Sequence, residues 1–307
     1  MFGRLSKKLH EEKGDATVLI ILLLAAAAAV YFLGGGKDPR PKKGKVYRKE
    51  EWVTVIADEK KEYRASPAIE RITRLTEGEG NDIQAISSPD GQYLAFTSDR
   101  LGNQDVFILD LAGPKGAVAQ KTFIEAHDFH PAYSPDQKTL IFASARIGIE
   151  KVFELNLTQW KPKKQITRGV GRDKTPCFSP DGRKIVYSSQ PIGSPIPYIW
   201  IIDLDINDMT QYISGYGPLF SPDGKKVLFE SKKAGNSDIW ILDLTSGDQV
   251  QISADPTDDF DPAWSPDGKL ITFASHRSGN SDIWIMKSDG SNLIRITTHP
   301  EVDRYPT

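Results

Sequence analysis

The chain has 307 residues, with 39 basic against 41 acidic side chains and a net charge of −2 at neutral pH. That balance excludes a broad basic surface for nucleic acid. Its single cysteine, Cys177, excludes an internal disulfide and any cysteine-based metal motif, and no hydrolase elbow or phosphate loop occurs.

Residues 1–16 are polar and basic, carrying Arg4, Lys7, Lys8 and Lys13. Residues 17–33, TVLIILLLAAAAAVYFL, form an uncharged run of 17 residues, the shortest length that spans a bilayer as a helix. The run reads as an uncleaved transmembrane anchor, with Tyr31 and Phe32 at the interface and a cleaved signal peptide as the alternative. Residues 34–68 form a flexible tether rich in Gly, Pro and Lys, in which Trp52 to Ile56 is a possible strand. Residues 1–68 carry a net charge of +5 and residues 69–307 carry −7, so the tether is basic and the larger C-terminal region mildly acidic. The seven Lys/Arg of residues 37–49 argue for a cytoplasmic location by the positive-inside rule, which long C-terminal domains obey poorly.

From residue 69 onward the chain repeats itself. The tetrads begin at Ser88, Ser134, Ser179, Ser221 and Ser265, spaced 46, 45, 42 and 44 residues apart. Four read Ser-Pro-Asp-Gly; the second ends in Gln137, where a left-handed turn position predicts strain. After each tetrad comes an apolar run, such as Leu140 to Ala143 or Ile271 to Ala274. A Gly-Asn turn and a third run come next, as in Asp282 to Met286, and then a short segment ending in Ile-Thr or Ile-Ser. Four short strands per ~40–45 residues is the signature of a β-propeller blade. The expected fold is therefore all-β: five clear four-stranded antiparallel repeats, six blades in the ring, and one preceding transmembrane helix.

The sixth blade is the open question. Residues 302–307 match the approach to a tetrad, and residues 71–76 match a fourth strand. A closed ring would then take its two middle strands from about residues 46–68; the competing expectation is a chain truncated before a further tetrad. Phe107, Phe153, Trp200, Trp240 and Trp284 recur on the third strands and are expected to pack between blades. Cys177 aligns with Ala132 and Ala263 and reads as a small core residue.

The passage from Ser-Pro-Asp-Gly through Phe-x-Ser-x-Arg-x-Gly-Asn-x-Asp-Ile-Trp resembles the WD-repeat-like propeller repeat of the periplasmic TolB proteins, over roughly residues 69–307. With the anchor read from residues 17–33, the resemblance implies a propeller on the periplasmic or extracellular side, monomeric, with no cofactor and no catalysis, that binds a protein or peptide of the cell envelope. The N-terminal α/β domain of TolB is not matched, so a place in the Tol-Pal system does not follow.

The most regular polar feature lies six residues before each tetrad: Asp82, Asp128, Asp173 and Asp259, with Asp303 at the corresponding place and Gly215 as the exception. A propeller gathers these around one mouth of its channel, on the face that also carries Arg100, Arg146 and Arg277. Two readings stand: Asp-Arg pairs that hold loops, or a partner-binding surface made of these eight side chains. Some TolB-like propeller lyases use histidines around a metal, which makes His127, His130 and His276 the residues of an enzymatic alternative, a metal-dependent polysaccharide lyase or hydrolase.

Overall fold

A computed structural model describes residues 19–23, 32–33, 69–76, 80–113, 117–158, 164–298 and 302–307. Its regularity begins in the tetrads. In the first, the Ser88 hydroxyl donates to Asp90 Oδ1 at 2.6 Å and accepts from the Tyr93 amide at 2.9 Å, while the Gly91 amide donates to the Ser88 carbonyl at 2.8 Å. The same hydroxyl-to-carboxylate bond recurs at Ser134, Ser179, Ser221 and Ser265. Gly91, Gly182, Gly224 and Gly268 all have φ near +70°, and Gln137 takes φ +60° in their place. The strain expected at Gln137 is therefore present, and its amide nitrogen turns toward Asp90, 3.0 Å from the nearer carboxylate oxygen.

Each tight turn joins the first two strands of a four-stranded antiparallel sheet, and five such sheets succeed one another among the described residues. Blade 1 comprises Asp82–Ser87, Tyr93–Ser98, Asp105–Asp110 and Val118–Gln120. Blade 2 comprises Asp128–Tyr133, Thr139–Ser144, Lys151–Asn156 and Lys164–Gln165. Blade 3 comprises Arg172–Phe178, Lys184–Gln190, Tyr198–Asp203 and Asp208–Ser214. Blade 4 comprises Tyr216–Phe220, Lys226–Ser231, Asp238–Asp243 and Gln249–Gln251. Blade 5 comprises Asp259–Trp264, Leu270–Ser275, Asp282–Lys287 and Ile294–Arg295.

The second and third strands are buried on both faces, so they read as continuous apolar runs, and their alternation divides the blade surfaces. Phe142 and Phe153 of blade 2 pack back onto Ala95, Val106 and Ile108 of blade 1, while Ile141 and Val152 pack forward onto Ile185 and Tyr187 of blade 3. Trp240 packs against Ile199 and Ile201 of blade 3, as expected for an aromatic between blades. Large side chains thus face back and small or β-branched ones forward, a close-packed arrangement that repeats from blade to blade.

The first strand of every blade carries a bulge that propensity did not foretell. Gln84, His130, Thr175, Gly217 and Asp261 sit at φ between +50° and +55°, and the pairing register shifts at each. Four of the five precede a proline, at 131, 176, 218 and 262, which cannot donate to the ladder. Tyr305, also before a proline, takes φ +56° near the C-terminus. Asp303–Arg304 thus enters like a first strand, and lies beside the second and third strands of blade 5.

Of the apolar run expected as an anchor helix over 17–33, residues 19–23 and 32–33 are described, both as strands, and the rest of the run lies outside the described residues. Leu19–Leu23 pairs antiparallel with Ile69–Arg74, and Phe32–Leu33 pairs with Asp303–Arg304. A short apolar run has no period that separates buried strand from helix. The middle strands expected from residues 46–68 and the strand at 52–56 lie outside the described residues, as do residues 1–16 and the tether. No helix among the described residues is long and apolar enough to cross a membrane.

Candidate functional site

The meander places two sets of connections at one end of the propeller: the turns between second and third strands, and the crossings from each fourth strand to the next blade. Asp82, Asp128, Asp173, Asp259 and Asp303 stand where these crossings enter the first strands, and all five are buried. Three are held by the arginine of their own blade. Arg100 Nη2 donates to Asp82 at 2.6 Å, Arg146 Nη2 to both Asp128 oxygens at 3.1 and 3.0 Å, and Arg277 Nη2 to Asp259 at 2.6 Å. Each guanidinium also donates through Nε to the serine that ends the second strand, Ser98, Ser144 or Ser275. Each then lies over two rings on neighbouring strands, as Arg146 does at 5.4 Å from Phe142 and 4.4 Å from Phe153.

Blade 3 has Pro191 where the arginine belongs, and its aspartate is rescued from the blade before. The Lys151 amine, buried, reaches Asp173 at 2.8 Å and the Gly171 carbonyl. Blade 4 has lost both partners. A Cβ on Gly215 would stand 2.6 Å from the Phe229 ring and 3.0 Å from Ile199, and Lys233, in the arginine's place, lies 5.3 Å over Trp240. At the C-terminus, the Asp303 amide donates to the Ser281 carbonyl at 2.8 Å.

Of the eight side chains expected to meet a partner, the structure therefore places seven in ion pairs that hold the loops, and the eighth, Asp303, is buried beside blade 5. Removing one member of such a pair strands a buried charge, at a cost of about 3–5 kcal/mol.

What this face presents instead is an open cleft of about 520 Å³ over blades 1, 2 and 3, lined by Gln84, Gln104, His127, Phe129, His130, Glu150 and Lys174. His127 Nδ1 accepts from the Gln104 amide at 3.3 Å. His130 Nε2 accepts from the Gln84 side-chain amide at 2.7 Å, since the Gln84 carbonyl is taken by the Thr97 hydroxyl at 3.0 Å and the His130 amide at 3.2 Å. That leaves the His130 proton on Nδ1, a buried atom with no hydrogen-bond partner. Burial, reinforced by the Lys174 charge, pushes the His130 pKa down to about 3, so the ring is neutral. Lys174 is partly exposed, 3.2 Å from Glu150 and 5.8 Å from the centre of the Phe129 ring.

Of the histidines in the enzymatic alternative, His127 and His130 share the cleft. His276 packs at a tilt of 55° against Phe260 in blade 5, with ring centres 4.9 Å apart. No group of three or more His, Cys, Asp or Glu among the described residues is placed to hold a metal ion. Across the face, burial raises the pKa of Glu230 and Asp261, and the Asp261 carboxylate accepts from Arg304 Nε at 3.1 Å. Burial and then the Asp259 charge raise Asp238 to about 6.

Residues 210–307 match the family described as the TolB beta propeller domain. No curated protein matches the chain in sequence. Among solved structures, TolB from Acinetobacter baumannii aligns with a TM-score of 0.71 at 18% identity, over 98% of this chain and 69% of that one. A putative TolB from Agrobacterium tumefaciens aligns at 0.65 and 21% identity, over 73% of this chain and 83% of that one. An oligogalacturonate lyase in complex with manganese aligns at 0.52 and 17% identity, over 71% of this chain and 65% of that one. What is shared at these identities is the fold: five TolB-like propeller blades.

Proposed function

We propose that this chain is a membrane-anchored, TolB-like β-propeller that binds a protein or peptide of the cell envelope through its loop-bearing face and performs no chemistry of its own. The observation that carries the reading is the open cleft around Phe129 and Lys174, set among loops that buried ion pairs hold in place. A half-buried aromatic and a partly exposed amine at the start of two first strands, set among rigid loops, give a binding module a pocket of fixed shape.

The length and composition of residues 17–33 support an anchor, with 34–68 as the tether and the propeller on the periplasmic or extracellular side. Strand pairing of 19–23 and 32–33 supports a different use of the same run, as the middle strands of a sixth blade closed by 69–74 and 303–304. One segment cannot serve both. Alkaline extraction of membranes from expressing cells separates the two: a spanning helix stays in the pellet, and a blade is released.

Binding is tested by affinity capture from envelope extract with the full chain, beside Lys174→Glu and His127→Ala chains of unchanged melting temperature. A protein captured by the parent and lost from the Lys174→Glu chain is the expected result. Capture indifferent to both changes would exclude the cleft as the binding site.

The manganese-bound lyase neighbour, with His127 and His130 together in one cleft, favours one second reading, a metal-dependent polysaccharide lyase. It predicts stoichiometric manganese binding that His127→Ala abolishes. Absence of binding by the parent chain would dispose of it.

A further inference from the structure

The turn that leaves the third strand is built the same way in blades 1 to 4. It reads Asp110-Leu111-Ala112, Asn156-Leu157-Thr158, Asp203-Leu204-Asp205 and Asp243-Leu244-Thr245 in chain order. In each, the leucine amide donates to the carbonyl of the residue that follows the tetrad, at 2.8 or 2.9 Å. The side chain before the leucine accepts from the amide two residues on, at 2.9, 2.9, 3.1 and 2.8 Å. An acceptor oxygen is all that this turn requires, and three blades supply it with a carboxylate. Blade 2 alone supplies it with an amide.

That amide stands in a particular setting. Of the seven asparagines in the chain, Asn156 is the one with a hydroxyl residue two positions on, and the residue between them is not proline. This is the triplet whose side-chain nitrogen accepts an N-linked glycan. The Thr158 hydroxyl donates to Asn156 Oδ1 at 2.8 Å, beside the Thr158 amide at 2.9 Å. An amide nitrogen is a poor nucleophile because its lone pair is drawn into the carbonyl. Two donors on Oδ1 stabilise the charge that gathers on oxygen as an N–H proton is withdrawn. Thr158 is exposed and Asn156 half-buried. The connection to the fourth strand spans seven residues, 157–163, against four in blade 3 and five in blade 4, which gives a modifying enzyme more slack. Turns after third strands lie at the end of the propeller away from the cleft, so a large group here leaves the loop-bearing face open.

We infer that Asn156 is the acceptor of an N-linked oligosaccharide, delivered from a lipid-linked oligosaccharide diphosphate by an oligosaccharyltransferase. In the transfer a bond forms between Asn156 Nδ2 and the anomeric carbon of the first sugar, and the bond from that carbon to the phosphate oxygen breaks. The lipid diphosphate leaves with the electron pair, and the amide proton passes to a base of the transferase. The inference rests on the reading that sets the propeller on the periplasmic or extracellular side.

Two measurements test it. In the first, the folded full chain in mild detergent is incubated with a purified oligosaccharyltransferase and a lipid-linked oligosaccharide, and its intact mass is read. The parent gains the mass of one glycan, which peptide mapping places on Asn156. Asn156→Asp, which gives blade 2 the residue of blades 1, 3 and 4 and so keeps the turn, melts as the parent does and gains nothing. Thr158→Val gains nothing and Thr158→Ser keeps the gain, a pattern that a purely turn-holding asparagine would not produce. A parent chain that stays unmodified, while a free peptide of residues 153–161 is modified under the same conditions, overturns the site. So does a gain that survives Asn156→Asp. The second measurement is the mass of the same tryptic peptide from the chain isolated from its native envelope. A glycan on Asn156 is expected. Modification in the first measurement and a bare peptide in the second overturns the placement of the propeller outside the membrane, whereas failure of the first removes the site and leaves that placement as it was.

Discussion

Blades 2 and 4 are copies of one repeat, and their difference shows what the repeat's charges are for. Blade 2 keeps the full stack of carboxylate, guanidinium and paired rings in Asp128, Arg146, Phe142 and Phe153. Blade 4 keeps only the rings, Phe229 and Trp240, with Gly215 where the carboxylate would be and Lys233 where the guanidinium would be. In blade 4 carboxylate and guanidinium are absent together, and where blade 3 loses only its arginine, Lys151 arrives from blade 2. Side chains lost together, or replaced across a blade boundary, behave as a structural pair. Side chains selected to touch an outside partner have no reason to do so.

Giving blade 4 a carboxylate without its partner is the severest challenge to this contrast. Gly215→Asp drives a side chain into Phe229 and Ile199 and buries an uncompensated charge, and we expect loss of more than about 4 kcal/mol or failure to fold, read by urea denaturation. Arg146→Met in blade 2 keeps the stem over the rings and strands Asp128, at a cost of about 3 kcal/mol in the same measurement.

Asp238 provides a pH-dependent contrast on blade 4. Its folded pKa near 6 stands above the ordinary 3.8, so its contribution to stability is full below about pH 4 and is lost as pH rises through about 6. Asp238→Asn is expected to flatten the dependence of melting temperature on pH between 4 and 7 and to raise the value at pH 7 by a few degrees. The tetrads run in the opposite sense. A hydroxyl and a backbone amide hold the Asp267 carboxyl at about 2, so the stability these turns contribute is present above pH 4 and is lost only as pH falls toward 2. The smallest effect is at the strained second tetrad, where Gln137→Gly relieves the left-handed backbone and gives up the contact to Asp90, for a net gain of about 0.5 kcal/mol by calorimetry.

Much of the fold was legible because its signals are local. Spacing of the tetrads, β-branched second strands and aromatic third strands each depend on residues near in sequence, and each is borne out. The bulges were not expected, although the prolines at 131, 176, 218 and 262 carried a local signal for them, since a proline inside a strand marks an interrupted ladder. The rest needed neighbours far along the chain. Lys151 looks like an ordinary strand-edge lysine until Asp173 is seen beside it, 22 residues away and in the next blade. Leu101, Ile147 and Ile192 each stand 13 residues after a tetrad serine, which alignment of the copies shows, but their exposure on one face needed the fold. Residues 17–33 illustrate a different limit, because an apolar run of this length satisfies a bilayer or a blade equally well.

The buried aspartates of this face hold its loops, and the proposed partner binding falls to what the loops present. Urea denaturation of Lys151→Met, beside Lys151→Met/Asp173→Asn, puts that division of labour to the test. The expected result is a loss of about 3 kcal/mol for the single change, with most of it recovered in the double, because the stranded carboxylate is the cost. A single change within about 0.5 kcal/mol of the parent would contradict it, and would return Asp173 and its counterparts to the groups free to meet a partner.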